Sequence, residues 1–440
     1  MGCAVTMRLS RHSQIFFKLT IFLHIMSSSR IKITEDWAVV FLGFLIILLA
    51  VWGLSIPIPH YQWNDGAALA SLFTATNSVS VFFQFLFAYA IVIIGAFITG
   101  KSIRSQLVGF PLVFLLTIGA LVLSGNAFLN DLGLEAVIFS LLIGLLVGNL
   151  FRLPQWFRDS LNAELLVKIG LVLLGTRVIF SDILKAGSLG LVQSLIVVLS
   201  VWYFAFWLCR KFKVDDELTM MISSAVSICG VSAAIATSGA IKGDSRKLSY
   251  VVSMVLITAI PMMIAMPYIA NALGFPEEVT GAWLGGSIDT TGAVVASGSL
   301  VGERALEIST IVKFSQNVLL GVAALAISIY WTYRGTPDGE YVEKPGLGVI
   351  WERFPKFVLG FIGSSLLFSF VLDAATVSAV QNGVKDIQGL WFALAFTSIG
   401  LETNFKDLLG HNSIKPFYVF LVAQLFNIFV TLAIAWWLFG

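Results

Sequence analysis

The sequence predicts an all-α polytopic membrane protein with the inverted-repeat fold of a secondary transporter, and three observations carry that prediction. Hydrophobic residues make up 58% of the 440 positions and charged residues only 12%. Apolar runs recur that match or exceed the ~20 residues a helix needs to cross a bilayer. Two stretches of small and hydroxylated residues interrupt this pattern, and they resemble each other.

The first runs from Ser224 to Asp244 and contains Ser227-Ile228-Cys229-Gly230-Val231-Ser232-Ala233-Ala234-Ile235-Ala236-Thr237-Ser238. The second, Ser287-Ile288-Asp289-Thr290-Thr291-Gly292-Ala293-Val294-Val295-Ala296-Ser297-Gly298, aligns with it from Ser-Ile onward. Close helix packing through Gly and Ser accounts for many such runs by itself. A solute site at membrane depth needs the same residues for another reason, since they supply hydroxyls and free backbone N–H where water is scarce. Paired, interrupted hydrophobic segments in the two halves of a chain point to this second use.

Taken in order, residues 1–36 carry Arg8, Arg11, Lys18, Arg30 and Lys32 around a short apolar run, which reads as a cytoplasmic or interfacial arm. Its opening Met1-Gly2-Cys3-Ala4-Val5-Thr6 formally fits a myristoylation signal, but an anchor adds nothing to a chain with so many spans. Spanning helices are expected at about eleven places: Trp37–Ile56, Ser80–Gly100, Gln106–Ser124, Leu134–Phe151, Leu161–Ser181, Leu189–Cys209, Tyr250–Leu273, Leu306–Tyr330, Val349–Leu372, Gly389–Phe405 and Lys415–Phe439. The two small-residue segments add two re-entrant or broken helices. The chain thus divides into the arm (1–36), extra N-terminal helices (37–132), a first transporter repeat (133–273) and a second, inverted repeat (274–440).

Loop charges orient these spans. With the arm in the cytoplasm of a cell bounded by this inner or plasma membrane, Lys101/Arg104, Arg152/Arg158 and Arg210/Lys211/Lys213 fall inside, as the positive-inside rule requires. Lys242, Arg246 and Lys247 also fall inside, and the acidic Glu277/Glu278 loop outside, only if the first small-residue segment turns back. Re-entry also makes the helix ends Gly175-Thr176-Arg177-Val178-Ile179-Phe180-Ser181-Asp182 and Gly400-Leu401-Glu402-Thr403-Asn404-Phe405-Lys406-Asp407 point in opposite directions. The two segments then enter from opposite faces.

Ionisable groups at membrane depth cost at least ~2.5 kcal/mol each, so those present are paired or functional. Glu164 and Lys168 stand one turn apart and form an ion pair or a coupling site. Arg177 and Glu402 hold equivalent positions with opposite sign, as a structural bridge or a gate. Lys313 stands one turn from Asn317, so both fit the bundle interior, although Lys313 is near enough to its helix start to snorkel. Asp289 has no local counter-ion among Gly286, Ser287, Thr290 and Thr291, which suits a coupling proton or sodium, or a helix cap.

Half-helices present N–H groups and positive dipole ends, which favour a small anion. The expected substrate ligands are Ser227, Cys229, Gly230, Ser232, Thr237, Ser287, Thr290, Thr291, Lys313 and Asn317. Cys3, Cys209 and Cys229 sit at unrelated spacings, so no disulfide framework or zinc site is expected. No His-Glu-x-x-His or Gly-x-Ser-x-Gly occurs, which argues against an enzyme. The expected partners are the lipid bilayer, the solute and, in a homodimer, a second copy; no cofactor or nucleic acid is expected.

The stretch Ser227-Ile228-Cys229-Gly230, running through Ala236-Thr237 to Lys247-Leu248-Ser249, resembles the YeiH-like sulfate exporters, UPF0324. Leu173-Leu174-Gly175-Thr176-Arg177, Gly285-Gly286-Ser287-Ile288 and Gly400-Leu401 fit the same family, and the likeness covers roughly Leu134 to the C terminus. More distantly the chain resembles the bile-acid:sodium symporter superfamily, whose broken crossing helices form the site. That superfamily carries an Asn-containing sodium motif, whereas Ser232-Ala233-Ala234 stands in that region here. The resemblance therefore implies sulfate export and does not carry sodium coupling with it. The competing class is a cation:proton antiporter with Asp289 as the carrier carboxylate.

Overall fold

A computed structural model describes residues 33–131, 135–334, 348–403 and 415–440. The N-terminal arm up to residue 32 and the second half of the Gly400 helix-end motif, 404–409, lie outside the described residues. Among those described, the chain is helical throughout and has no named strand. The principal helices are α1 (Glu35–Val51), α2 (Ala75–Thr99), α3 (Ile103–Ser124), α4 (Ala136–Leu150), α5 (Ala163–Leu174) and α6 (Phe180–Lys211). They continue with α7 (Asp216–Ser227), α8 (Val231–Ile241), α9 (Ser245–Ala272), α10 (Glu277–Ser287), α11 (Thr291–Ser299) and α12 (Glu303–Arg334). The chain closes with α13 (Phe357–Leu366), α14 (Ala374–Glu402) and α15 (Lys415–Phe439). Six of these, α2, α3, α6, α9, α12 and α15, are long and apolar enough to cross a membrane.

Several expected spans differ in extent, and the one expected over Leu189–Cys209 starts earlier, at Phe180. The helix expected over Leu161–Ser181 stops at Leu174, where the chain turns through Gly175 against α13. A Cβ at Gly175 would lie 2.3 Å from the Phe361 carbonyl oxygen, so only glycine permits this approach. The span expected over Val349–Leu372 is a short helix at Gly348–Arg353, a break at Pro355, then α13 running into a π-helical turn at Leu367–Val371. The span expected from Gly389 begins earlier, at Ala374, capped by Asp373. Its first turns hold Gln381, Asn382, Lys385 and Asp386, and such polar residues conceal a helix from a hydropathy reading.

The small-residue segments are two helical hairpins. In the first, α7 and α8 are separated by Ile228, Cys229 and Gly230; in the second, α10 and α11 by Ile288, Asp289 and Thr290. Gly230 carries φ +60° and sits where a Cβ would lie 2.6 Å from Val255 and 3.0 Å from Asp289, so both backbone and space demand glycine. Asp244 N donates to Glu217 Oε2 at 2.9 Å, although 27 residues of straight helix would separate them by about 40 Å. The Lys247 ammonium likewise meets Asp215 at 2.7 Å. In the second hairpin Ala305 N, just beyond α11, donates to Glu277 Oε2 at 3.3 Å. Each segment therefore leaves on the side where it entered.

The mouths of the hairpins lie at opposite ends of α6, a 32-residue helix about 48 Å long. Arg210 near its C-terminus pairs with Asp216 of the first hairpin at 2.7 Å. Asp182 near its N-terminus pairs with Arg304, which also reaches Glu278 of the second hairpin at 3.4 Å. The helices that precede the two glycine motifs are antiparallel, because Glu402 at the end of α14 accepts from Ala163 N at the start of α5, 3.1 Å away. Helix α14 packs on α4 with backbone nearly touching backbone: a Cβ at Gly144 would lie 2.3 Å from the Thr397 oxygen.

Candidate functional site

The tips of the two hairpins meet in the middle of the bundle, and α12 and α15 hold them there. First-half helices α7 and α10 both end at the crossing, so their last carbonyls point at one another with the negative ends of two helix dipoles. The Lys313 ammonium satisfies one carbonyl from each, Ile228 O at 2.9 Å and Ile288 O at 2.8 Å, and spends its third N–H on Gln316 Oε1 at 2.8 Å. Gln316 Nε2 in turn donates to Ser227 O at 2.9 Å and Gly286 O at 3.3 Å. From α15, Asn427 Nδ2 donates to Val226 O at 3.1 Å and Ser287 O at 3.2 Å, and Gln424 Nε2 to Ser287 O at 2.7 Å. Unpaired carbonyls buried at such a break would be costly, and these amides remove the cost.

The second halves start on the other side of the crossing. A cavity of about 490 Å³ lies there, and the first residues of both α8 and α11 line it: Val231 and Ser232 from one, Thr291 and Gly292 from the other. The first N–H groups of a helix lack an intrahelical partner, so two positive dipole ends converge on one space. Thr290 caps α11 by accepting from Ala293 N at 3.3 Å. Cys229, Thr290 and Asn317 complete the inner wall, and Asn317 Nδ2 reaches Thr291 Oγ1 at 3.3 Å.

Towards its mouth the same cavity is lined by Asp36, Glu164, Lys168, Glu352, Arg353 and Glu402. Lys168 is the hub, with Asp36 at 3.0 Å, Glu164 at 3.1 Å and Glu35 at 3.3 Å. The i, i+4 pair expected of Glu164 and Lys168 is therefore present as part of a larger network. Gly239 of α8 lies beside Arg353, which puts this charged end at the mouth of the first hairpin.

The cavity gathers Cys229, Ser232, Thr290, Thr291, Asn317, Glu164, Lys168 and Glu402. The other expected ligands stand elsewhere. Ser227 is fully buried and its hydroxyl bonds back to Ser223 O at 2.7 Å. Ser287, Thr237 and Gly230 are buried in helix packing and do not line the space. Lys313 neither snorkels nor faces the cavity: it is 1% exposed, and all three of its donors are taken by the protein. Asp289, also 1% exposed, lies behind the tip within electrostatic reach of Lys313, with Oδ2 lacking a partner. Arg177 does not bridge to Glu402; it pairs with Glu303 at the opposite end of the molecule, where Lys385 joins Glu303 at 2.6 Å.

Sequence reasoning missed Gln316, Gln424 and Asn427, together with Gln193, whose Nε2 donates to Ala282 O at 2.7 Å. The signal was present, because each is an amide inside an apolar helix, where a polar group without a purpose is unfavourable.

The family profile described as "Conserved hypothetical protein 698" matches residues 108–420. A UPF0324 membrane protein of Rhodopirellula baltica, RB9488, is 38% identical over 387 residues, covering 86% of this chain and 70% of that protein. A UPF0324 membrane protein of Nitratidesulfovibrio vulgaris is 37% identical over 359 residues, covering 79% of this chain; the chain spans 62% of that relative's length. One from Nitrosomonas europaea, NE0724, is 27% identical and covers 92% of this chain and 95% of its own. No solved structure matches. The chain belongs to the UPF0324 (YeiH-like) family of membrane proteins.

Proposed function

We propose that this UPF0324 membrane protein is a secondary transporter of a small anion, sulfate or an organosulfonate in class, which binds where the two hairpin tips meet and crosses by alternating access. One observation carries the reading: two helix N-termini and the side chains of Ser232, Thr290 and Thr291 converge on a single cavity at the hairpin crossing. Oriented N–H groups in a site of low dielectric bind an anion without a formal positive charge. On this reading about eleven helices span the bilayer, with the hairpins re-entering from opposite faces as an inverted repeat. The chain has no catalytic role.

Loop charge supports a cavity open to the cytoplasm, since its mouth shares a face with Lys101, Arg210, Lys242 and Lys247. The arm before α1 then starts inside, in the inner membrane of a cell. The far face is held by the Arg177–Glu303–Lys385 chain and by Arg304 with Asp182, Glu278 and Glu307. These pairs form the outer seal of an inward-open state. The mouth itself carries four carboxylates against two cations. An anion passing it gains from protonation there, so Glu164 or Glu402 is placed to take up a coupling proton.

The test is equilibrium binding by purified protein in detergent. Sulfate and taurine should bind, and Ser232→Val or Thr291→Val should each weaken binding by about 1–2 kcal/mol through loss of one donor. Unchanged affinity in both variants, or a parent that binds no anion and responds only to sodium, lithium or protons, defeats the anion reading. The antiporter reading has one observation of its own, the buried Asp289 carboxylate with Oδ2 unpartnered. It requires Asp289→Asn to abolish pH- or ion-dependent transport in a protein that still folds.

A further inference from the structure

Among the buried side chains, Lys313 is set apart by the ligands that surround it. Its ammonium lies among three oxygens at 2.8–2.9 Å: the Ile228 and Ile288 carbonyls and the Gln316 amide. The two carbonyls close α7 and α10, so the negative ends of two helices converge on this one point. The Asp289 carboxyl group lies within electrostatic reach of the same amine. Backbone and amide oxygens set at this spacing are what a protein offers a hard monovalent ion in place of its hydration shell.

We infer that the hairpin crossing is a monovalent-cation site occupied by the chain's own Lys313 ammonium, a tethered ion in place of a dissociable one. The oxygens would exist in this arrangement whichever cation sat among them, because Gln316 Nε2 and Asn427 Nδ2 fix the neighbouring carbonyls independently of Lys313. The tether keeps the amine in the site whatever the cation content of the solution. The crossing therefore needs no sodium or potassium from solution, and any ion coupling must act elsewhere. This inference does not rest on the anion reading, and its test does not measure anion transport.

Lys313→Ala removes the ammonium and leaves the oxygens. The unfolding temperature of purified protein in detergent is measured in potassium, sodium or ammonium chloride, with choline chloride holding ionic strength constant. A site that binds an ion in the folded state alone stabilises it in proportion to the logarithm of occupancy. The parent should show the same midpoint in all four salts. Lys313→Ala should be less stable in choline and regain stability, saturably, in at least one of the small cations.

Absence of any cation-specific recovery in a folded Lys313→Ala protein overturns the inference. Should that variant fold in no salt, Lys313→Met combined with Asp289→Asn, which removes both charges, decides the matter. A folded double variant that ignores cation identity, alongside a Lys313→Met single variant recoverable only when purified in a small-cation salt, supports a cation site. Failure of the double variant in every salt, or a single variant that no cation rescues, shows that the lysine's own hydrogen bonds hold the crossing, and the site does not exist.

Discussion

Asn427 offers a quantitative test of how the hairpin tips are held. It is 1% exposed and donates from one amide nitrogen to Val226 O and Ser287 O, while its Oδ1 accepts from Thr431 Oγ1 at 2.9 Å. Asn427→Leu keeps the branching at Cγ and deletes all three bonds. Ser287 O retains Gln424, and the Thr431 hydroxyl is free to turn to the backbone one turn earlier, so the principal loss is an orphaned Val226 carbonyl. That costs about 1–3 kcal/mol, and the lost Ser287 contact about 0.5–1.5 kcal/mol more. The expected destabilisation is therefore about 1.5–4.5 kcal/mol. Gln106→Leu is the control: it is also fully buried, but neither atom of its amide has a hydrogen-bond partner. Removing an unsatisfied polar group should be neutral or stabilising. The assay is the temperature or denaturant concentration at which the monodisperse peak in detergent disappears. If Asn427→Leu matches the parent, or Gln106→Leu is the more damaging of the two, the capping argument is wrong.

Three further outcomes follow from the same geometry. A cysteine placed at Ser245 should resist membrane-impermeant reagents in intact cells and react in inverted vesicles; ready labelling from outside means that the first small-residue segment crosses. Arg177→Gln with Lys385→Gln should release Glu303 and raise labelling of the native Cys229 from outside in a background carrying Cys3→Ser and Cys209→Ser, whereas unchanged labelling denies those pairs a sealing role. Burial works against the charged form of Asp215, in the loop before α7, but Lys247 and the N–H groups of Leu218 and Glu217 hold its carboxyl below the ordinary range. A depressed folded-state value contributes stability above the unfolded pKa of about 4 and loses it as pH falls through the folded one. Asp215→Asn should therefore flatten the acid side of the stability profile and cost less than about 1 kcal/mol at neutral pH, because the pair is half exposed; an unaltered acid profile refutes this.

The architecture was legible because a bilayer imposes a length on every crossing and penalises polar atoms, so exceptions stand out in the letters. Ser232, Thr290 and Thr291 were found on that ground. The turn-back of the first hairpin was read from Lys242, Arg246 and Lys247, a charge pattern that makes sense on one side only. The partner of Arg177 was not legible, since Glu303 is 126 residues away and the choice between it and Glu402 depends on which end of α5 each occupies. The capping amides were missed for a related reason. Gln316 and Asn427 look like minor blemishes in apolar helices until the carbonyls of two distant breaks are brought to them.

Three side chains each hold both hairpins: Lys313 spans Ile228 and Ile288, Gln316 spans Ser227 and Gly286, and Asn427 spans Val226 and Ser287. Drawing the tips apart would leave each of these side chains with one hairpin and strand up to three carbonyls, at about 1–3 kcal/mol each. A conformer reached in a working cycle lies only a few kcal/mol above the ground state. Under the alternating access proposed above, the hairpins, α12 and α15 therefore travel as one plug, and motion is left to the seam between that plug and the wall of α4, α5 and α14. At that seam Gly292 faces the side chains of Ile399 and Val167, hydrocarbon against hydrocarbon. Such a surface slides without breaking directional bonds, and the absent side chain of Gly292 supplies the clearance.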